Sequence, residues 1–180
     1  RHGAVSAFRE FQPADVSVRE VTRSYGDNLV LDRFSHEFRA GQTTAVMGAS
    51  GCGKTTLLSL VTGLSDPDGG KIEVTPDAAF SAVFQEDRLC ENLTAAANIR
   101  LVTGRTRSYA EIVQALSDVG IPACADKPVR ELSGGMKRRV TLMRALLAEY
   151  SVIVLDEPFK GLDENTRAQV AEYCRKMLSG

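Results

Sequence analysis

One segment constrains the fold more than any other. Residues 48–55 read Gly-Ala-Ser-Gly-Cys-Gly-Lys-Thr, between an apolar run at 43–47 and the helical leucine spacing of 54–64. Glycines at 48, 51 and 53 let the backbone bend so that successive N–H groups point at one anion, and the following helix adds its positive end. A buried strand, a glycine loop and a helix in this order predict a phosphate-binding loop in an α/β fold.

The side chains of this loop predict which phosphate compound it binds. Lys54 supplies a compact positive charge for β- and γ-phosphates, and Thr55 offers a hydroxyl to Mg²⁺. Cys52 is interpreted as a tolerated small residue and not as a catalyst. We therefore predict that a nucleoside triphosphate is held by Gly48, Ala49, Ser50, Gly51, Cys52, Gly53, Lys54 and Thr55.

A second apolar run carries two carboxylates at its end. Residues 152–155 read Val-Ile-Val-Leu, typical of a strand covered on both faces, and Asp156 and Glu157 follow directly. Next to a phosphate loop, Asp156 is placed to hold Mg²⁺ through water, and Glu157 to act as general base on the attacking water. Without the loop, the two residues would be interpreted as ordinary solvated acids.

Composition excludes several classes of protein. The 180 residues are 43% hydrophobic and include 22 Lys plus Arg against 23 Asp plus Glu, so there is no basic excess of the kind that nucleic-acid binders show. No apolar run approaches the roughly 20 residues that cross a bilayer. The four cysteines lie far apart without metal-ligand spacing. Composition predicts a soluble, cytosolic protein.

The remaining pattern predicts one domain with an insertion. Strands are predicted near 16–21, 29–38, 71–74 and 79–84, and the pattern is helical from Glu86 to Tyr150, with a capping box at Ser108 and an N-cap at Ser133. We expect a single domain over 1–180. Residues 1–85 and 151–180 form its nucleotide-binding core, which begins with an antiparallel β part, and residues 86–150 form an inserted α-helical subdomain.

Residues 132–140, Leu-Ser-Gly-Gly-Met-Lys-Arg-Arg-Val, resemble the signature segment of the ATP-binding cassette (ABC) family. The resemblance covers nearly the whole chain and implies a P-loop NTPase core with the helical insertion. Six matches stand in the family's order: Tyr25 as the aromatic residue at adenine, Gly48 to Thr56 as Walker A, Gln85 as the Q-loop, 132–136 as the signature, 152–157 as Walker B, and 161–163 as the D-loop.

The resemblance also implies roles for residues outside the loop. Tyr25 would stack on adenine, Gln85 would reach the metal or the water, and Asp163 would lie at a dimer interface. Taken alone, Tyr25 is more often a core or turn aromatic, Gln85 is equally well a solvated polar turn, and Asp163 can be a helix N-cap as well as an interface residue. The γ-phosphate of a second copy's ATP would be held by Ser133, Gly134 and Gly135. The resulting catalytic set is Lys54, Gln85 and Glu157, and the metal set is Thr55, Gln85 and Asp156.

Two departures from the family pattern affect the prediction. Met136 replaces the usual Gln, a variant found in importer subunits of the nitrate, sulfonate and taurine type. The family's switch histidine follows the last helix, whereas His2 and His36 both precede the phosphate loop. We therefore expect an importer subunit that is cut short at its C-terminus and hydrolyses ATP weakly.

The sequence thus predicts an ATP-binding and hydrolysing subunit that powers a membrane transporter. The implied cofactors are ATP and Mg²⁺. The implied partners are a second copy in a head-to-tail ATP-bound dimer, a separate transmembrane permease and, in an importer, a solute-binding protein, with no nucleic acid. The expected location is the cytoplasmic face of the cell membrane. The alternatives are a non-transport ABC ATPase and a subunit that binds ATP with little hydrolysis.

Overall fold

The computed structural model describes residues 12–178, which form two β-sheets and five α-helices. His2 lies outside the described residues. The strands are β1 (Val16–Tyr25), β2 (Asn28–Phe38), β3 (Gly69–Val74), β4 (Phe80–Val83) and β5 (Val152–Leu155). The helices are α1 (Lys54–Val61), α2 (Ala95–Thr103), α3 (Tyr109–Asp118), α4 (Gly134–Leu147) and α5 (Glu164–Leu178), with short 3₁₀ turns at Pro122–Cys124 and Val129–Glu131.

The N-terminal part is a three-stranded antiparallel sheet in the order β2-β1-β3, which confirms the predicted antiparallel β part. Strands β1 and β2 form a hairpin in which Tyr25 pairs with Asn28 at the turn and Val16 pairs with Phe38 at the far end. Alternate residues Val16 and Val18 are buried, as the period of two in the sequence predicts. The inner face of this sheet packs on α1 through Leu57, Leu60 and Val61.

The parallel pair β4-β5 lies between two apolar clusters. Phe80 and Val152 pack against the cluster of β1, β2 and α1, whereas Ile153 and Leu155 pack against the cluster formed by the helices. The second cluster is the larger one and joins Val83 to buried residues of α2, α3, α4 and α5. The helices between 95 and 147 therefore share one core with the strand β4.

Helix boundaries follow the capping residues of the sequence. Ser108 and Glu111 form the predicted capping box: the Ser108 hydroxyl accepts from the Glu111 N–H at 3.2 Å, and the Ser108 N–H donates to the Glu111 carboxylate at 2.7 Å. Ser133 caps α4 by accepting from the Met136 N–H at 3.4 Å. Both predicted caps are confirmed.

One predicted strand is wrong. Residues 43–47 were expected to form a buried strand before the phosphate loop, yet they form no strand in the described part of the chain, and the Met47 side chain is 89% exposed. Among residues 12–178, β5 pairs with β4 alone, and its residues are mostly half-buried. An apolar run becomes a strand only when a neighbouring strand satisfies its backbone groups.

None of the helices described between residues 12 and 178 has the length and apolar character needed to cross a membrane.

Candidate functional site

The glycine loop reaches α1 through backbone conformations that favour glycine. Gly51 and Gly53 have φ values of 78° and 96°, in the left-handed region. A Cβ on Gly53 would lie 2.7 Å from the Val30 side chain of β2, so the loop packs closely against the β1-β2 hairpin. The loop thus bends as the sequence predicts, and its contact with Val30 places the hairpin beside it.

Lys54, the first residue of α1, folds back over this loop. Its ammonium group donates hydrogen bonds to the backbone carbonyls of Gly48 at 2.8 Å and Ala49 at 2.6 Å, and it lies 3.8 Å from the Cys52 thiol. The positive charge of the loop is therefore held at its centre by the loop's own backbone. An incoming phosphate would meet this charge together with the positive end of α1.

The loop and the end of β5 meet at one hydrogen bond. The Thr55 hydroxyl donates to the Asp156 carboxylate at 2.6 Å, although the residues are 101 positions apart in sequence. Asp156 is buried, with 4% exposure, directly after β5. The fold thus brings together the hydroxyl and the carboxylate that the sequence assigned to Mg²⁺.

These two groups fit the ion they were assigned. A hydroxyl and a carboxylate are the hard oxygen donors that Mg²⁺ prefers, and Mg²⁺ sites in nucleotide-binding proteins use few protein ligands, since phosphates and waters complete the shell. Among residues 12–178 there is no group of three or more His, Cys, Asp or Glu side chains that could hold a metal ion. Gln85 lies beyond the end of β4 with an exposed side chain.

Glu157 occupies an unusual backbone conformation. Its φ is 45°, a left-handed value that costs a non-glycine residue free energy and that Glu20, Arg33, Asp77 and Arg88 also adopt. The side chain is exposed, and its carboxylate forms an ion pair with Lys160 at 3.1 Å. The predicted general base is therefore accessible to solvent and contacts a neighbouring cation.

Arg138 of α4 holds the backbone around this carboxylate. Its guanidinium donates five hydrogen bonds while its side chain is only 4% exposed. Four go to backbone carbonyls of residues that follow β4 and β5: Phe84 (2.7 Å), Asp156 (2.9 Å), Glu157 (2.7 Å) and Pro158 (3.1 Å). The fifth goes to the Asp87 carboxylate (3.1 Å). One side chain thereby joins the helix that begins at the signature to the ends of both parallel strands.

Sequence reasoning missed Arg138. It stands in the run Lys137-Arg138-Arg139, which by composition is typical of a solvated helix face. A signal does exist: Arg138 lies one and two turns before the buried residues Thr141, Leu142 and Ala145, on the same side of the helix. A basic residue at the start of a buried stripe indicates a buried guanidinium.

The signature segment lies next to the D-loop of the same chain. A Cβ on Gly135 would lie 3.6 Å from the Leu162 side chain and 3.9 Å from the Gly161 carbonyl. Ser133 and Gly134 are exposed at the N-terminus of α4.

Asp163 accepts a hydrogen bond from the Thr166 N–H at 3.0 Å, and hydrogen bonds from the Thr166 hydroxyl and backbone lower the pKa of Asp163. The N-cap interpretation of Asp163 is confirmed.

The remaining predicted residues lie on the hairpin. Tyr25 is at the β1-β2 turn with 51% exposure. His36, the histidine within the described residues, is an exposed residue of β2 whose ring contacts those of Phe34 and Phe38. The chemistry of the assembled groups is therefore that of a phosphate loop, a hydroxyl–carboxylate pair and an accessible carboxylate.

Comparison with known proteins adds independent findings. Residues 31–160 match the family model described as ABC transporter. The aliphatic sulfonates import ATP-binding protein SsuB 3 of Paraburkholderia xenovorans (strain LB400) is 39% identical over 98% of this chain and 72% of its own length. The Nod factor export ATP-binding protein I of Sinorhizobium fredii (strain NBRC 101917 / NGR234) is 36% identical over 91% of this chain and 52% of its own.

A solved structure has the same fold. The structure of a bacterial Atm1-family ABC exporter with ATP bound aligns with a TM-score of 0.81 and 27% identity, over 94% of this chain. The match covers 34% of the exporter chain, so the present chain spans about a third of that protein.

Proposed function

Because this chain belongs to the ABC transporter family, we propose that it is the ATP-binding subunit of a solute importer of the sulfonate, nitrate and taurine type. Several similar proteins are named aliphatic sulfonates import ATP-binding proteins, and Met136 in the signature agrees with that group. A non-transport ATPase is not favoured, since the relatives described above are named for import or export.

The hydrogen bond between Thr55 and Asp156 carries the catalytic part of the proposal. It joins the phosphate loop to the end of β5 at 2.6 Å, which supports the proposal that the groups for phosphate and for metal belong to one site. In this proposal residues 48–56 bind the triphosphate of ATP, and Thr55, Asp156 and Gln85 hold Mg²⁺. When bound, the ion would offset negative charge on the phosphates.

Each polar side chain then has a distinct task. Lys54 leaves the carbonyls of Gly48 and Ala49 and donates to the β- and γ-phosphates, where its positive charge offsets charge developing in the transition state. Glu157 accepts a proton from the attacking water, and Gln85 orients that water. Lys160 contacts one oxygen of the Glu157 carboxylate, Oε2, at 3.1 Å, so the other oxygen is the one proposed to accept the proton.

A second copy would complete the site. Ser133 and Gly134 are exposed and Gly135 is half-buried at the N-terminus of a 14-residue helix, a position suited to an anion that approaches from outside the chain. We propose that they contact the γ-phosphate bound by the other copy in a head-to-tail dimer, with Asp163 at the interface. Residues 86–150 would then move as a helical subdomain relative to the core 1–85 and 151–180.

That movement would reach a separate membrane permease near residues 85–93. One exposed apolar side chain within this segment supports a partner there: Leu93 is 38% exposed. The proposal places the subunit at the inner face of the cell membrane, with a solute-binding protein supplying the permease and no nucleic acid involved.

The experiment uses Glu157→Gln, which keeps the side-chain size but removes the base. With Mg²⁺ and ATP the variant is expected to bind nucleotide, fail to hydrolyse it and accumulate as a dimer in light scattering after size-exclusion chromatography. With ADP it is expected to stay monomeric. Glu149→Gln is the matched control, because Glu149 is exposed and lies before β5, away from the strand end that meets the loop.

Two double variants separate the parts of the proposal. The double variant with Glu157→Gln and Lys54→Ala is expected to lose both nucleotide binding and dimer formation. The double variant with Glu157→Gln and Ser133→Arg is expected to keep nucleotide binding but to lose dimer formation. A Glu157→Gln chain that binds ATP and remains monomeric would contradict the two-copy site. Dimers that persist with Ser133→Arg would contradict the role of the signature.

A further inference from the structure

Arg23 lies against the ring of Tyr25. The guanidinium carbon is 4.9 Å from the ring centroid and over its face, within the distance at which a cation is attracted to an aromatic ring. Tyr25 itself is 51% exposed. One face of the ring is therefore covered by a cation while about half of the residue remains accessible.

The position of Arg23 is fixed by the turn before β3. Its Nη1 donates to the Asp68 carboxylate at 2.8 Å and to the Asp66 carbonyl at 3.1 Å. The other oxygen of Asp68 accepts from the Ser24 N–H at 2.6 Å. Asp68 thus holds both residues that immediately precede Tyr25 in this part of β1.

The Nε atom of Arg23 supports the same arrangement. It is buried without a hydrogen-bond partner among the described residues. Leaving a buried N–H unpaired costs free energy, so the contact with the ring and the bonds of Nη1 must offset that cost. The guanidinium is thus held at the ring even though its Nε gains no hydrogen bond there.

The hairpin end that carries Tyr25 lies beside the phosphate loop. Tyr25 pairs with Asn28, and Val30, two residues further along β2, packs directly on Gly53 of the loop. The hairpin that carries Tyr25 therefore contacts the loop in which the phosphates are proposed to bind.

We propose that Arg23 is a positioning residue for the nucleobase: it fixes the Tyr25 ring from one face and leaves the opposite face for the purine base of ATP. The inference rests on the proposed function, in which Tyr25 stacks on adenine. A ring that is already held in place loses less rotamer freedom when the base binds.

The test compares ATP with inorganic tripolyphosphate, which has the phosphates but no base. Binding to the 180-residue chain is measured by calorimetry in Mg²⁺. Arg23→Met is expected to raise the Kd for ATP about 2- to 5-fold, the range of an exposed cation–π contact, and to leave the Kd for tripolyphosphate unchanged. Arg23→Lys keeps the charge and is expected to restore part of the ATP affinity.

A matched control and a double-mutant cycle isolate the contact. Arg19→Met removes an exposed arginine of the same strand that pairs with Glu73, and is expected to change neither Kd. In a Tyr25→Ala background, Arg23→Met is expected to have no further effect on ATP, because its partner ring is gone.

The outcomes distinguish the inference from the proposed function. If Tyr25→Ala leaves the ratio of the two Kd values unchanged, Tyr25 does not contact the base and the nucleotide arrangement itself is wrong. If Tyr25→Ala changes the ratio and Arg23→Met does not, the inference alone is overturned. An equal loss of ATP and tripolyphosphate affinity in Arg23→Met would also overturn it. Tripolyphosphate has no base, so an equal loss would indicate that the substitution distorts the hairpin and not that it removes support from the Tyr25 ring.

Discussion

Among the arginines of residues 12–178, Arg138 is the one whose replacement with Met should destabilise the protein most. Methionine keeps much of the apolar stem but provides no donor, so four carbonyls and the Asp87 carboxylate each lose a hydrogen bond. The side chain is 4% exposed, so water has little access to the guanidinium position. Asp87 is 27% exposed and can recover hydration more easily.

The size of the effect can be bounded. Hydrogen bonds to charged groups contribute roughly 1.5–3 kcal/mol each, but five of them on one group are not additive, and relaxation restores part of the loss. Removing one partner from a buried charged network costs about 3–5 kcal/mol in comparable cases. We expect the free energy of unfolding to fall by that amount, a large share of the roughly 5–15 kcal/mol typical of a domain.

The assay is urea unfolding followed by circular dichroism at fixed pH. Arg130→Met is the control, because Arg130 is exposed and its side chain makes one hydrogen bond, to Asn92; we expect a change below about 0.5 kcal/mol. Arg138→Lys should recover only part of the loss, since a single ammonium cannot reproduce the five-donor fork. A loss of less than about 1 kcal/mol in the free energy of unfolding of Arg138→Met, a typical value for any point mutation, would refute the stabilising role of the five Arg138 hydrogen bonds.

Three further predictions follow from the described residues. Ser108→Ala removes the capping box of α3 and should lower the free energy of unfolding by about 1 kcal/mol, measured by urea unfolding; no change would argue against the cap. Burial raises the pKa of the Cys174 thiol to about 11, so the folded state retains a proton that the unfolded chain releases near pH 9; stability should therefore fall between pH 9 and 11, and Cys174→Ala should remove that component of the pH profile. Exposed Cys52 and Cys90 should react with a thiol reagent in the native state, whereas buried Cys124 and Cys174 should react only after unfolding; fast native labelling of all four would contradict the described core.

Local features were predictable because neighbouring residues decide them. The cap of α3 needs only Ser108 and Glu111 within one turn, and the bend of the phosphate loop needs glycine at 51 and 53, where φ is positive. The hairpin strands follow from alternating apolar residues such as Val16 and Val18. The family, too, was readable from the order of short segments along the chain, and the match over residues 31–160 confirms it.

Features that depend on distant neighbours were not predictable from local pattern. The apolar run 43–47 has the composition of a buried strand, but a strand exists only beside another, and in residues 12–178 no strand lies alongside it. Likewise nothing within one turn of Arg138 indicates which carbonyls it binds, since those belong to residues 18 to 54 positions away.

The sequence by itself determined which groups are available: a phosphate loop, two carboxylates after an apolar run, and a signature segment at a helix start. The tertiary structure decided which of them meet. It joined Thr55 to Asp156 across 101 residues, placed Arg138 under the strand ends, and paired Arg23 with Asp68 of the turn before β3. The physical reason is that local propensity acts over a few residues, whereas buried polar groups must find partners wherever the packed chain brings them.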